Sequence, residues 1–457
     1  VLTLAVVVAF SLAANTYKSR LEPAISKAAG MEVSIGGRTS VGFIPGFHIT
    51  LNDVHFRNRG SEVLSAKSIA VRMNLFRLLR RELRLGGITL KQARIYIERG
   101  QNGRYNYEPM EEHKDPRPAI DLPGISLSDG TLVYLDRQSG AGLELDDCSM
   151  DARDLRHPGG ERANFLRQLS LTAELAFKEV RTKRLTVSDL RITVDGQRGI
   201  FMLEPVTMRL FSGNGSGSIR MDHTGSVPKV RLRYVLARFH IEDYFKSLSP
   251  KKIADGVMDF STDLTMQGAS RDELRRTTNG SVDLKGNKLA LYGTNLDREL
   301  AQYEQSQNFN LVDLSAFFLA GPVGLALTKG RDFGSLLQRS GGSTAIRTLV
   351  STWRLQNGVA KARDVALATN ENRLALQGGL DFVHERYVDV TVALVDPRGC
   401  AKVTQRIYGP FLRPAVEKPN FLMTVAGPML NLLRKARDLV APGQCRVFYT
   451  GSVAPSR

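Results

Sequence analysis

Catalytic motifs, clustered metal ligands and cysteine are what this 457-residue chain has least of. Three cysteines, Cys148, Cys400 and Cys445, are too few for a disulfide scaffold or a thiolate metal cage. Cys400 and Cys445 both follow glycine-containing turns, DPRGC and APGQC. A bridge between them would staple a late helical segment to the last strands, and two inert buried thiols are the alternative. Seven histidines are scattered without the i,i+4 pair plus glutamate of a zinc hydrolase. His48 and His55 are separated by an odd interval, which on an extended strand turns them to opposite faces. GNGSG at 213–217 lacks the Lys-Ser or Lys-Thr finish of a phosphate loop and reads as a hairpin turn. No GxSxG elbow surrounds a serine, and the carboxylates, though plentiful, form no recognisable acid and base pair. No catalytic, cofactor-binding or metal residue is assigned, and the expectation is a non-enzymatic protein.

Long apolar runs are equally scarce, the exception being VLTLAVVVAFSLAA at 1–14. Fourteen residues rising about 1.5 Å each fall short of a hydrocarbon core of roughly 30 Å. The segment reads as the visible end of a longer membrane anchor, with a signal peptide or a buried core helix as rivals. Residues 17–29 continue it as a helix with Leu21, Ala24, Ile25 and Ala28 on one side, ended by Gly30.

Basic residues outnumber acidic ones, 63 to 46, for a formal charge of +17. A nucleic-acid binder would concentrate that charge on one element with stacking aromatics, and no such element is found. The densest run, 72–99, follows the apolar segment closely. Arg77, Arg80, Arg81 and Arg84 there are candidate contacts to lipid headgroups at a membrane surface, and a generally solvated basic face is the plainer alternative.

The rest of the chain is dominated by period-two alternation. Strands are expected at 47–56, 63–73, 83–89 and 93–99, and a polar, proline-rich stretch at 108–118 marks a boundary. Beyond it, Leu171, Ala173, Leu175 and Phe177 share one strand face, as do Leu190, Ile192 and Val194. Met258, Phe260, Leu264 and Met266 alternate with polar residues, and so do Val388, Val390, Val392 and Leu394. Helices able to cover these faces are few, at 241–248, in part of 296–340 and at 426–440. Either two sheets bury the apolar faces mutually, or a curved sheet leaves them partly open.

Several stretches carry a resemblance. GMEVSIGG at 30–37, ITLNDVHFRNRG at 49–60, the long run 64–108 ending in GRYNYE, and 353–382, 407–417, 427–439 and 445–451 together resemble the bacterial AsmA family in order. Membership would imply a mainly β fold, an elongated, curved antiparallel β-sheet groove of taco-like form, with an N-terminal transmembrane helix and a few capping helices. It would place an anchor at 1–20 in the bacterial inner membrane and the body in the periplasm. A membrane-proximal module would span 21–108, a central β-rich groove 109–295, a partly helical cap 296–350 and a C-terminal β module 351–457. The function implied is phospholipid binding or transport supporting outer-membrane biogenesis. Acyl chains would lie on strand-face residues such as Phe260, Leu264, Leu284, Val390 and Val392, for each of which burial in a closed core is the competing assignment. An envelope protein partner or a homo-oligomer would complete the path. The alternative is an anchored scaffold assisting outer-membrane protein assembly, or a part of a larger envelope complex.

Overall fold

The computed structural model describes residues 18–44, 46–74, 85–108, 119–159, 165–183, 185–248, 250–293, 295–298, 300, 341–411, 413–417, 420–421, 445 and 447–455. The apolar run at 1–14, the boundary stretch 109–118, most of the expected cap, the helix expected at 426–440 and the four candidate arginines between 77 and 84 lie outside them. Among the described residues no helix is long and apolar enough to cross a membrane.

The protein is mainly β and divides into two compact units, 1–210 with 216–228, and 211–215 with 229–457. The first unit opens with helix α1, Lys18–Ala29, followed by β1 Glu32–Ile35, β2 Thr39–Gly42, β3 His48–Asn58, β4 Ser61–Met73 and β5 Leu85–Arg99. After the crossover come β6 Ile120–Asp136, β7 Gly142–His157, the short helix α2 Phe165–Gln168, β8 Ser170–Thr182, β9 Thr186–Gln197 and β10 Ile200–Leu210. Both β1 and β2 pair with β3, and from there each strand pairs with the next through to β10. All of these ladders are antiparallel except β5 with β6, which run parallel, so the module ending at 108 and the strands after it share one sheet.

Every strand from β3 to β9 shows a three-residue step in its inward alternation, and between β6 and β7 the step moves over by one row. The register carries the apolar face from Leu51 to Val54, Ala66 to Ile69, Leu90 to Ala93, Leu145 to Cys148, Phe177 to Val180 and Val187 to Leu190. At or beside these steps Asp53, Gln92, Asp129, Asp147 and Asp189 take left-handed φ values of 55°, 49°, 53°, 49° and 53°. Aspartate tolerates that region because its short polar side chain can bond locally, and such a residue turns the alternation over while the register runs on unshifted in every one of these ladders except β6–β7. This corrects the expectation of separate strands at 83–89 and 93–99: Gln92 bends β5 without ending it.

The strand β11, Gly213–Asp222, is divided between the units. The GNGSG segment therefore begins a strand and is not a hairpin turn, and the positive-φ residues are Phe211 and Ser212 just before it. The glycine is needed because a Cβ on Gly213 would strike the backbone of Phe239.

The second unit contains β12 Lys229–His240, α3 Ile241–Lys246, β13 Ala254–Asp255, β14 Val257–Gln267, α4 Arg271–Arg276 and β15 Asn279–Tyr292. It continues with β16 Ser343–Gln356, β17 Val359–Thr369, β18 Arg373–Asp381, β19 Arg386–Val395, β20 Ala401–Pro410, β21 Ala415–Val416 and β22 Asn420–Phe421. These strands form an antiparallel meander from β12 and β14 to β20, with β13 beside β15 and with β21 and β22 on β20. In β17 the consecutive residues 365–369 are all buried, so both faces are covered there. On one side an alanine-rich patch, Ala366, Ala368, Ala375, Ala393 and Ala401, receives Tyr449 and Val453. Small side chains let the C-terminal chain approach the sheet closely. It is held there by a Cys400–Cys445 disulfide spanning 45 residues of sequence, and by Tyr449 Oη donating to Asp364 at 2.5 Å. Arg373, inaccessible to solvent, donates to the carbonyls of Val453 and Asp396 at 3.0 and 2.7 Å. The alternation expected over 388–394 breaks at Asp389, whose φ of 48° turns Val388 off the face shared by Val390 and Val392.

Candidate functional site

Register turns the alternating residues of the first unit into continuous apolar rows that cross the sheet at right angles to its strands. One row runs Val41, Ile49, Val71, Ile88, Ile125, Ala152, Ala173, Val194 and Leu203. The next runs Leu51, Ile69, Leu90, Leu127, Met150, Leu175, Ile192 and Val206. Beyond the three-residue steps a third links Val33, Phe56, Leu64, Ile95, Leu132, Leu145, Val180 and Val187. Cys148, Phe177 and Leu190 align between the second and third rows. Directly opposed side chains on one sheet face are close enough to touch, so each row is a ridge of hydrocarbon one residue wide.

The rows are not covered equally. At the β1–β4 end, Leu21 and Ile25 of α1 pack on a closed core of Val33, Ile35, Leu51, Val54, Ala66, Ile69 and Ala93. Glu22 and Ser26 of the same helix accept from the backbone N–H of Ile35 and Val33 at 2.7 and 3.0 Å, which fixes α1 over that corner. From β6 onward Leu127, Leu132, Leu145, Met150, Leu175, Phe177, Val180, Leu190, Ile192 and Val194 are only half-buried. A large apolar surface left half-open on a sheet marks an interaction surface.

The reverse face is polar. Ser126, Asp151, Glu174 and Thr193 lie in one register row there, with the last three exposed. Arg153 pairs with Asp151 at 3.0 Å, and its guanidinium holds the Asp151 carboxyl below the usual carboxylate range. Arg181 pairs with Asp146, Glu144 and Glu179. Such exposed pairs contribute little stability each; their effect is to keep this face in water.

The crossover from β5 is locked by the Gly-Arg-Tyr-Asn-Tyr turn at 103–107. The Asn106 side chain accepts from the backbone N–H of Glu98 at 3.0 Å and donates to the carbonyl of Tyr96 at 2.8 Å, acting as an extra strand residue. Asn58 Nδ2 donates to the carbonyls of Asn106 and Glu108 at 2.7 and 2.9 Å. Tyr105 and Tyr107 stack at 5.2 Å. The clamp closes the end of β5, and the parallel pairing of β6 with β5 continues the apolar rows without a break.

The strand-face residues singled out from sequence fall in the second unit. Phe260 and Leu284 oppose each other on β14 and β15 and are 6 and 3 % exposed, and Val390 and Val392 on β19 are 1 and 0 % exposed. Leu264 is half-buried. Four of the five are thus core side chains in this structure, and the half-open apolar surface lies in the first unit. Leu171, Leu175, Leu190 and Ile192 of that surface do carry the alternation legible in sequence. The rows do not, because they depend on which residue of the neighbouring strand stands opposite. Among the described residues no group of three or more His, Cys, Asp and Glu is placed to hold a metal ion.

No curated protein and no solved structure matches the chain. The model of the AsmA family matches residues 1–167 and again 149–365. A single sheet with a half-open apolar face suits the envelope-biogenesis and lipid-related roles that go with that family, and by the extent of the match the chain belongs to the AsmA family.

Proposed function

We propose that the protein binds phospholipid acyl chains on the half-open face of its first unit and passes them along it, as a non-enzymatic component of outer-membrane biogenesis. The observation that carries this reading is the set of apolar rows running from strand to strand across β5–β10, with a polar reverse face. Each methylene laid on the rows gains roughly 0.8 kcal/mol. Successive strands are about 4.8 Å apart, so a chain moving along a row exchanges one near-equal contact for the next and meets no single deep trap. Charged headgroups stay at the open side in water.

An anchor at 1–20 would hold the chain in the inner membrane with the body in the periplasm, and Arg77, Arg80, Arg81 and Arg84 would meet lipid headgroups at that surface. Six strands at this spacing span only about 24 Å, so a complete path calls for a protein partner or a further copy. No cofactor or nucleotide enters this scheme. A second reading, a scaffold for outer-membrane protein assembly or part of a larger envelope complex, is favoured by the second unit, whose apolar strand faces are closed.

The test is to purify the anchored chain in mild detergent and weigh the co-purifying lipid by mass spectrometry. Stoichiometric phospholipid is expected. Lipid no more abundant than on an unrelated detergent-solubilised protein would remove the carrier reading and leave the scaffold.

A further inference from the structure

The hairpin that joins β2 to β3 ends in an apolar sequence, Gly-Phe-Ile-Pro-Gly-Phe at 42–47. Turns ordinarily take glycine, asparagine, aspartate or serine at their apex, where side chains stand in water. Here Ile44 is 89 % exposed, whereas no other large apolar side chain among the described residues of this unit exceeds 45 %. The base of this tip is ordered. The backbone N–H of Gly46 donates to the carbonyl of Phe43 at 2.9 Å, and the carbonyl of Phe47 accepts from the N–H of Met73, at the end of β4, also at 2.9 Å. The ring of Phe47 is buried and lies 5.5 Å from that of Phe43. Ile44 is thus held out from the sheet, with the half-buried Phe43 beside it.

The tip lies at the end of the unit where the chain enters α1. The N–H groups of Ile35 and Val33 donate to the side chains of Glu22 and Ser26, so α1 runs back toward its start in the same direction as β3 runs back toward His48. From the level of Val54, Lys18 stands about 6 Å along that direction and the start of β3 about 20 Å. The tip therefore projects beyond the first turn of α1. The charge there is of one sign. No acidic residue occurs between Glu32 and Asp53 or between Glu62 and Glu82, while these stretches carry Arg38, Lys67, Arg72, Arg77, Arg80 and Arg81. The first stretch contains the tip, and the second contains the end of β4 that is bonded to it.

We propose that Phe43 and Ile44 form a wedge that enters the outer part of a lipid bilayer beside the anchor and gives the first unit a second point of attachment. The inference rests on the anchored reading above and adds the contact that sets how the body stands on the membrane. A single tether leaves a body free to swing, and a second contact away from it fixes one side toward the bilayer. A helix continued back from Lys18 reaches Ala14 after about 6 Å, so a tip about 14 Å beyond Lys18 stands at the depth of its apolar turns. An apolar pair set among cations and free of carboxylates suits a membrane with anionic headgroups: the side chains meet acyl carbons, and the basic residues meet phosphates.

The experiment reconstitutes the full chain in vesicles of phosphatidylethanolamine and phosphatidylglycerol that carry a nitroxide-labelled lipid. Cys148 is buried and Cys400 is bonded to Cys445, so a polarity-sensitive fluorophore can be placed on one new thiol, at Ile44→Cys or at the control Ser139→Cys. Ser139 is exposed in the β6–β7 hairpin, at the opposite end of the strands. Position 44 should shift to the blue and be quenched by the labelled lipid, and position 139 should do neither. Adding Phe43→Asp should lower the ratio of inserted to free tip at least about tenfold, the scale of returning one large apolar side chain to water. Flotation with the vesicles reads the anchor independently. A chain that floats while position 44 stays in water overturns the wedge and leaves the anchor standing. A blue shift at 44 without quenching assigns the tip to a protein neighbour, and equal quenching at 44 and 139 means that the body has no preferred side; either result overturns the inference. Quenching untouched by Phe43→Asp traces insertion to the fluorophore and overturns it as well. A chain that does not float overturns the anchored reading and this inference together.

Discussion

Replacing Leu175 by Asp should strip lipid from the protein while leaving it folded, whereas the same change at Val392 should unfold it. Leu175 stands in the middle of the second row, between Met150 and Ile192, and is half-buried. A carboxylate there can keep part of its hydration, so the cost to folding should be about 1 kcal/mol, the ordinary size for a partly exposed site. An acyl chain laid across the row would lose contact with the leucine and cover a charge, which forfeits two or three methylene contacts, or about 2 kcal/mol. That weakens binding roughly thirtyfold. Val392 is 0 % exposed, and a carboxylate placed there without a partner costs about 4 kcal/mol or more. The assay pairs a urea melt of each variant with mass spectrometry of co-purified phospholipid. The reasoning is refuted if Leu175→Asp keeps the parent's lipid content, or if it loses as much stability as Val392→Asp, since the first unit's face would then be a closed core.

Asn106→Ala removes two side-chain hydrogen bonds at the end of β5, and the urea midpoint should fall by an amount equivalent to about 1–3 kcal/mol; an unchanged midpoint would mean that the turn does not hold the crossover. Cys400→Ser frees a 45-residue loop and should cost up to about 4 kcal/mol by the chain-entropy account, with protease cutting first near residues 447–455. His55 sits between Glu62 at 2.6 Å and Asp53 at 3.1 Å, and the Glu62 hydrogen bond, opposed by burial and reinforced by Asp53, raises its pKa. A raised histidine stabilises the fold below its unfolded value of about 6.5, and the gain is lost as pH rises through the folded value. Stability at pH 6 relative to pH 8 should therefore drop on His55→Gln, as read from paired denaturation curves.

Much of the β architecture was legible because one residue in two along each strand must leave water, and the alternation of Leu171 to Phe177 records that requirement directly. The breaks in the alternation were legible only in part. Its signal is the three-residue step, as in Leu51 to Val54, often with an aspartate at the slip, and it is easily read as the end of one strand and the start of another. That is how β5 reads as two strands and how Val388 joins the wrong face. The parallel pairing of β5 with β6 leaves no local trace, since it depends on where the chain returns after twenty residues. Burial misled in the same way: Phe260 and Val390 have the pattern of a half-covered strand, but what packs on them comes from elsewhere in the chain. The opening left at Leu127, Leu175 and Ile192 likewise follows from which elements fail to cover them.

A photo-crosslinking residue placed at 175, and in a second protein at 174, tests the central claim most directly, because register puts these neighbours on opposite faces of one strand. In intact membranes, position 175 should yield phospholipid adducts and position 174 should yield none. Adducts of equal yield at both, or adducts to protein alone at 175, would contradict the account.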